Sequence, residues 1–368
     1  MRTVDVAIVG AGVIGACIAE TLALSSRLRI ALFDRGAPGC EASKAAAGVL
    51  AVASGQARQG VLLELRRLSG AMFPDLVERL QHETSIALGY RRDGLISLAF
   101  SAAEAAALEA LVRHRIAQGF RCEMLAANDL LRLEPAVNPS VHGGALFLDD
   151  RTIHNERFVD ALIVAAKRRG VELYQHTPVR SLLRSDGAVK LELDKGSVEA
   201  AVVVVAAGAW SPDLLAPCGV KVPVRPARGE VLAVRPKGWN LTHTLAAGDG
   251  YLVRRDDGEV LIGSTTAFDG FEKRVTADGL ATLRARAISM VPRIDEADEL
   301  RSWAGLRPCS TIRRPIIAPL PGWENVILAT GHHRNGILLA PITARLVSEL
   351  VLRLPASVPM RPFSYRKH

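Results

Sequence analysis

Cysteine is scarce in this 368-residue chain: Cys17, Cys40, Cys122, Cys218 and Cys309 are scattered, odd in number and free of any Cys-x-x-Cys pair. That pattern argues against a disulfide framework or a zinc site and predicts reduced thiols. No apolar run reaches the roughly 18 residues that a membrane span requires. Met1-Arg-Thr passes directly into a strand-like run, so no secretory leader is expected, and the expected location is cytoplasmic. There is no basic tail with interleaved aromatics. The 46 basic and 38 acidic residues give a net charge of +8, with the arginines spread singly or in pairs. A solvated surface explains that charge better than a nucleic-acid partner, although it could steer small anions. Internal repeats and low-complexity linkers are also missing. Apolar residues are plentiful at 49%, enough for two domains or one large interleaved body. A chain of this size should bury roughly 75% of its unfolded surface.

The densest information lies in the first 35 residues. Val4-Asp-Val-Ala-Ile-Val9 reads as a buried parallel strand, and Gly10-Ala-Gly12-Val13-Ile14-Gly15 follows at once. A helix over 16–24 and a second strand over 29–33 come next, ending at Asp34. This is the dinucleotide-binding fingerprint in its strand–turn–helix–strand context. Gly10 allows the turn, Gly12 admits a pyrophosphate to the backbone, and Gly15 lets helix and strand approach. The helix N-terminus offers free N–H groups to the phosphates, and Asp34 can accept from a ribose.

Periodicity organises the remainder. Residues 41–50 form a small-residue stretch at the start of an expected helix. Helices are expected over 56–83, 101–119, 128–134, 155–170, 276–291 and 336–354. The second of these opens with a capping box, Ser101 and Glu104. Strands are expected over 94–100, 144–148, 171–174, 188–193, 197–205, 229–234, 250–254 and 325–329. The run Ala201-Val-Val-Val-Val-Ala-Ala-Gly208 looks like a central strand buried on both faces. The fingerprint fold therefore starts at the N-terminus, is interrupted twice and is completed near the C-terminus.

Five segments carry a family resemblance: Ser43 to Leu50; His176-Thr-Pro-Val179; Ala206-Ala-Gly-Ala-Trp-Ser211; Ser302 to Pro308; and Gly331-His-His-Arg-Asn-Gly-Ile-Leu-Leu-Ala-Pro341. Together they resemble the D-amino-acid oxidase superfamily of FAD-dependent oxidoreductases, most closely its glycine oxidase branch, associated with thiamine biosynthesis. The resemblance implies an α/β fold: a three-layer, Rossmann-like FAD-binding domain (1–85, 145–215 and 300–368) interleaved with an antiparallel-sheet substrate domain (86–144 and 216–299). It implies noncovalent FAD held by Gly10, Gly12, Val13, Ile14, Gly15, Asp34, Arg35, Ala42, Ser43, Ala47, Gly48, Val49, Val179, Gly208, His332, His333, Arg334, Asn335, Gly336, Ile337 and Leu338. Tyr251, Arg307 and Arg334 become the catalytic candidates. A guanidinium can pair with a substrate carboxylate in a bidentate fork, and Tyr251 can add its hydroxyl.

The implied reaction moves a hydride from the Cα of glycine or another small amine or D-amino acid to flavin N5. The imine hydrolyses to a 2-oxo acid and ammonia, and O2 is reduced to H2O2. A dehydrogenase of the same fold, passing electrons to a quinone or other acceptor, is an alternative. An FAD-binding subunit without its own amine chemistry is another. Relatives often form tetramers, so a homo-oligomer fits the resemblance. Several positions depart from the branch: His333 replaces an aromatic, Ile312 an acidic residue, Ala318 a glycine, Arg254 a proline, and Lys44 a small residue expected beside the flavin. Cys309 reads as a packed small residue. Glycine, sarcosine, D-alanine and D-proline remain unranked.

Overall fold

The computed structural model describes residues 2–55 and 60–365. Its first strand, Arg2–Val9, is unbrokenly apolar over its second half, Val6 to Val9, where both of its faces are covered. Val6 and Ile8 enter one core with the fingerprint helix Val13–Ser25 and the C-terminal helix Gly336–Val351. Ala7 and Val9 enter the opposite core with Phe33, Val203 and Val205. Burying an aliphatic side chain of this kind is worth about 1.5–3 kcal/mol, so a two-faced strand is the natural centre of the sheet.

That sheet runs in the order Ile316–Leu320, Trp323–Thr330, Ser197–Val205, Arg2–Val9, Ile30–Phe33, Glu172–Tyr174. Its inner pairings are parallel, with Val9 opposite Val205 and Phe33, and Val205 opposite Leu328. Ser197–Val205 is interior along its length: Arg2–Val9 lies on one side throughout, and on the other its first half takes the antiparallel strand Ala188–Leu193 and its second half Trp323–Thr330.

A second eight-stranded sheet runs Asp298–Ser310, Val224–Arg235, Val260–Gly263, Gly250–Arg254, Thr244–Ala247, Leu95–Ala99, Gly143–Phe147, Cys122–Ala126. It is antiparallel except where Thr244–Ala247 meets Leu95–Ala99. Gly143–Phe147 and Asp298–Ser310 straddle the expected boundaries at 145 and 300, and both lie in this sheet. The whole is the expected α/β architecture, with helices over a largely parallel sheet and an interleaved antiparallel one.

Two expectations need correction. The small-residue stretch forms only one helical turn, Ala42–Ala45, and then the short strand Val49–Leu50, which pairs with Arg151–Thr152. The helix expected over 56–83 is Val61–Thr84; residues 56–59 lie outside the described residues. The Ser101 cap is present, with its hydroxyl accepting from the Glu104 amide at 3.2 Å, while the Glu104 carboxylate accepts from the Phe100 amide at 2.6 Å, one residue before the expected partner. Among the described residues, no helix is long and apolar enough to cross a membrane.

Candidate active site

A cavity of about 1130 Å3 runs between the two sheets. At one end lies the fingerprint loop. Gly10 sits at φ 105°, and a Cβ there would press into the Ala206 carbonyl. The Asp34 carboxylate accepts from the Ala11 amide (2.7 Å) and the Gly36 amide (2.8 Å), so it fastens the loop as well as facing the cavity. Burial pushes its pKa up. The Ser43 hydroxyl accepts from the Val13 amide at 2.9 Å, tying the small-residue turn to the start of the fingerprint helix.

At the other end, Arg307 projects from the long strand Asp298–Ser310. Its guanidinium donates to the Ser264 hydroxyl (2.7 Å) and the Thr265 carbonyl (3.1 Å). A Cβ at Gly229 would overlap it, so only glycine leaves this space. Tyr251 lies directly across from Gly263 on the neighbouring strand, with its ring over that glycine. Burial lowers the Arg307 pKa; its hydrogen bond with Tyr251 offsets this and the charge of Arg334 adds to it. Arg334 is more exposed and is held by the Thr266 hydroxyl (3.0 Å) and Asp249 (3.3 Å). His333 is pushed down to about 4 by burial and by the charges of Arg307 and Arg334, so it is neutral at pH 7. His332 is fully enclosed, shares a hydrogen bond with Thr343 at 3.0 Å, and is pushed down to about 3 by burial.

The cavity wall contains every residue expected to touch cofactor or substrate except Gly15. Gly15 stands behind the loop, where a Cβ would run into the Gly10 carbonyl; it serves packing rather than contact. Lys44 also corrects an expectation. Its ammonium pairs with Asp160 at 2.7 Å on the helix Asn155–Arg168 and does not line the cavity. Ile312 packs into the second core, while its neighbours Arg313 and Arg314 do line the cavity. Cys309, a free thiol, lines it as well, and its backbone pairs antiparallel with that of His332.

Sequence reading passed over Trp210, Glu41 and Arg66, all in the wall. Trp210 was within reach, because it closes the Gly208 motif. Arg66 carried a subtler signal, a cation on the apolar face of an amphipathic helix. It is buried and donates to the Val52 carbonyl at 2.8 Å.

The cavity suits an elongated dinucleotide. The fingerprint amides face one end, and the helix Gly336–Val351 turns its N-terminus toward the other, where Gly336, Ile337 and Leu338 line the wall. Three buried polar atoms on lining residues, Ser310 Oγ, Arg314 Nε and His333 Nε2, have no hydrogen-bond partner among the described residues. Buried polar groups are normally satisfied, so orphaned atoms of this kind fit a wall built around a polar ligand.

Comparison with known proteins agrees with this geometry. The family described as "DAO: FAD dependent oxidoreductase" matches residues 5–350. A glycine oxidase of Geobacillus kaustophilus is 36% identical, covering 99% of this chain and 97% of its own length. The bifunctional protein ThiO/ThiG of Synechocystis is 33% identical over 98% of this chain and 54% of its own length. The crystal structure of glycine oxidase from Geobacillus kaustophilus superposes with a TM-score of 0.96 at 35% identity, covering 100% of both chains.

Proposed function

The chain belongs to the DAO family of FAD-dependent oxidoreductases, and on that premise we propose that it oxidises glycine or a similarly small amino acid or secondary amine through its Cα–H bond. The observation that carries this reading is Arg307, half-buried at the cavity end away from the fingerprint and already anchored on Ser264 and Thr265. A desolvated cation with fixed orientation is built to receive one carboxylate. Tyr251 adds a hydroxyl beside it, and Arg334, at the rim, adds a second positive charge.

Bound FAD would supply the two-electron acceptor, with O2 as the oxidant that renews it. The chain's own residues hold and orient. The fingerprint residues Gly10 to Ile14, with Asp34, Arg35, Ala42, Ser43 and Val179, would hold the adenosine and pyrophosphate. Ala47, Gly48, Val49 and the segment His332 to Leu338 would flank the reacting ring. The free amides at the start of the helix Gly336–Val351 would stabilise negative charge near them. His332 is an unsuitable general base, because its ring is enclosed and shared with Thr343. Positioning is the main contribution, as proximity alone can supply much of a barrier reduction. In this reading the parallel-sheet body holds the cofactor and the antiparallel sheet presents the substrate. The imine formed would feed thiamine thiazole synthesis, the role of the branch the sequence resembles.

The test is anaerobic reduction of the flavin by glycine, sarcosine, D-alanine and D-proline, followed by admission of air. Bleaching by at least one, with fast recovery in air, is expected. Arg307→Ala should weaken that amine's apparent affinity by about 30-fold or more, since truncating a buried partner of a charge pair costs about 2–5 kcal/mol. Absence of bleaching by all four would refute the substrate class. Slow recovery in air with rapid dye reduction would make the protein a dehydrogenase.

A further inference from the structure

The loop 264–276, between the strand Val260–Gly263 and the helix Ala277–Met290, has contacts that the amine chemistry does not use. Its first residues hold the substrate-end arginines: Ser264 and Thr265 take Arg307, and Thr266 takes Arg334. Its middle is tied to the sheet through Arg228. Ala267 and Arg228 exchange two backbone hydrogen bonds at 2.8 and 3.0 Å, and the Arg228 guanidinium bonds Asp269 at 2.7 Å. Its far side then reaches across to the cofactor half. Phe271 stacks on Trp210 with ring centroids 5.3 Å apart, and Arg35 lies 3.7 Å over the same indole. Lys273 pairs with Glu41 at 2.9 Å and donates to the Cys40 carbonyl at 3.2 Å. Glu41 in turn pairs with Arg35 at 2.9 Å.

Trp210, Arg35 and Glu41 belong to the cavity wall, close to Asp34 and the fingerprint loop. Phe271 and Lys273 do not line it; they stand behind those three residues. Phe271 is 43% exposed, so its ring adds little to a folded core and does most where it meets Trp210.

We propose that the loop 264–276 is a strap that retains FAD, bracing Trp210 and Glu41 from behind so that the wall of the adenosine end stays closed on the cofactor. Phe271 and Lys273 act as positioning residues, through Trp210 and Glu41. An aromatic stack, a cation–π contact and a partly exposed ion pair are each modest. They act together because both ends of the strap are anchored. The proposal depends on FAD as cofactor and is independent of which amine is oxidised.

The test uses the full chain, stripped of flavin and titrated with FAD, with quenching of flavin fluorescence as the readout. Phe271→Ala is expected to raise the FAD dissociation constant about tenfold, the size of one lost aromatic stack, mainly by faster release. Lys273→Met should raise it about threefold at low ionic strength and less in high salt, because the ion pair is screened. The melting temperature of the flavin-free protein should be unchanged in both variants, a result that separates a brace from a fold defect. Dissociation constants within twofold of wild type in both variants would overturn the proposal. So would a melting temperature of the flavin-free protein that falls in step with the loss of FAD affinity.

Discussion

At the scale of the residue, the site works through side chains whose charge state is set by burial. His332 is 3% exposed, and its pKa is pushed from 6.5 to about 3. Because its folded pKa lies below its unfolded one, the neutral ring contributes stability that is complete above about pH 6.5. As pH falls, the unfolded chain takes up the proton first, so stability declines from pH 6.5 downward and is fully lost only below the folded value. Between pH 6.5 and 5 this amounts to about 2 kcal/mol for this one group. Urea unfolding at both pH values should show at least that loss in wild type, and His332→Gln should reduce the pH dependence by about this one group's share, leaving the shares of the similarly depressed His333 and His154. An undiminished pH dependence in the variant would mean that other groups carry it. His154, half-buried and pushed down to about 4 by burial and by Arg255 and Arg157, and His333, pushed down to about 4, are the groups to examine then.

At the scale of the element, the fingerprint depends on close approach of strand, turn and helix. A Cβ at Gly15 would run into the Gly10 carbonyl, a backbone atom that cannot rotate away. Gly15→Ala should therefore push the helix Val13–Ser25 off the strand Arg2–Val9. It should lower the denaturation midpoint by an amount equivalent to about 1–3 kcal/mol, the usual cost of overpacking, and weaken FAD binding with it. Wild-type stability in that variant would show that the turn can relax. This turn was legible in the sequence because its physics is local: each glycine answers to a neighbour a few residues away. The same holds for the Ser101 cap and for the strand Ser197–Val205, whose bounds agree with the reading. The long strand Asp298–Ser310 was not legible, although it carries Arg307. Its first five residues are all exposed, Leu300 included, so no inward-facing alternation marks it. What makes it a strand is pairing along its length with Val224–Arg235, more than 60 residues earlier. The direction of Lys44 was hidden for the same reason, because its partner Asp160 is 116 residues away. Family motifs supplied Arg307 and Tyr251 where periodicity alone offered nothing.

At the scale of the whole molecule, the cavity is a seam. Its wall draws on the parallel sheet through Val9, Phe33 and Ala329, and on the antiparallel sheet through Tyr251, Gly229 and Arg307. The antiparallel sheet is also stitched to the one-turn helix Ala42–Ala45 at the cavity wall: the Trp303 indole donates to the Ala45 carbonyl at 3.1 Å, and a Cβ at Gly305 would press on Ala45. A ligand filling such a seam stabilises both halves together, since it binds only when both are in place. With FAD at a thousand times its dissociation constant, the stabilisation is about 4 kcal/mol. Spread over the unfolding entropy of a chain this long, that is a rise in melting temperature of about 5 °C. Calorimetry of flavin-free protein with increasing FAD should therefore show one transition moving upward as a unit. Two transitions, only one of which follows FAD, would mean that the halves unfold separately and that the cofactor rests on the parallel sheet alone. Arg307→Ala should leave the FAD-dependent rise intact, because its guanidinium is committed to the far end of the seam, to Ser264 and Thr265. Loss of the rise in that variant would place Arg307 in cofactor binding instead of substrate recognition.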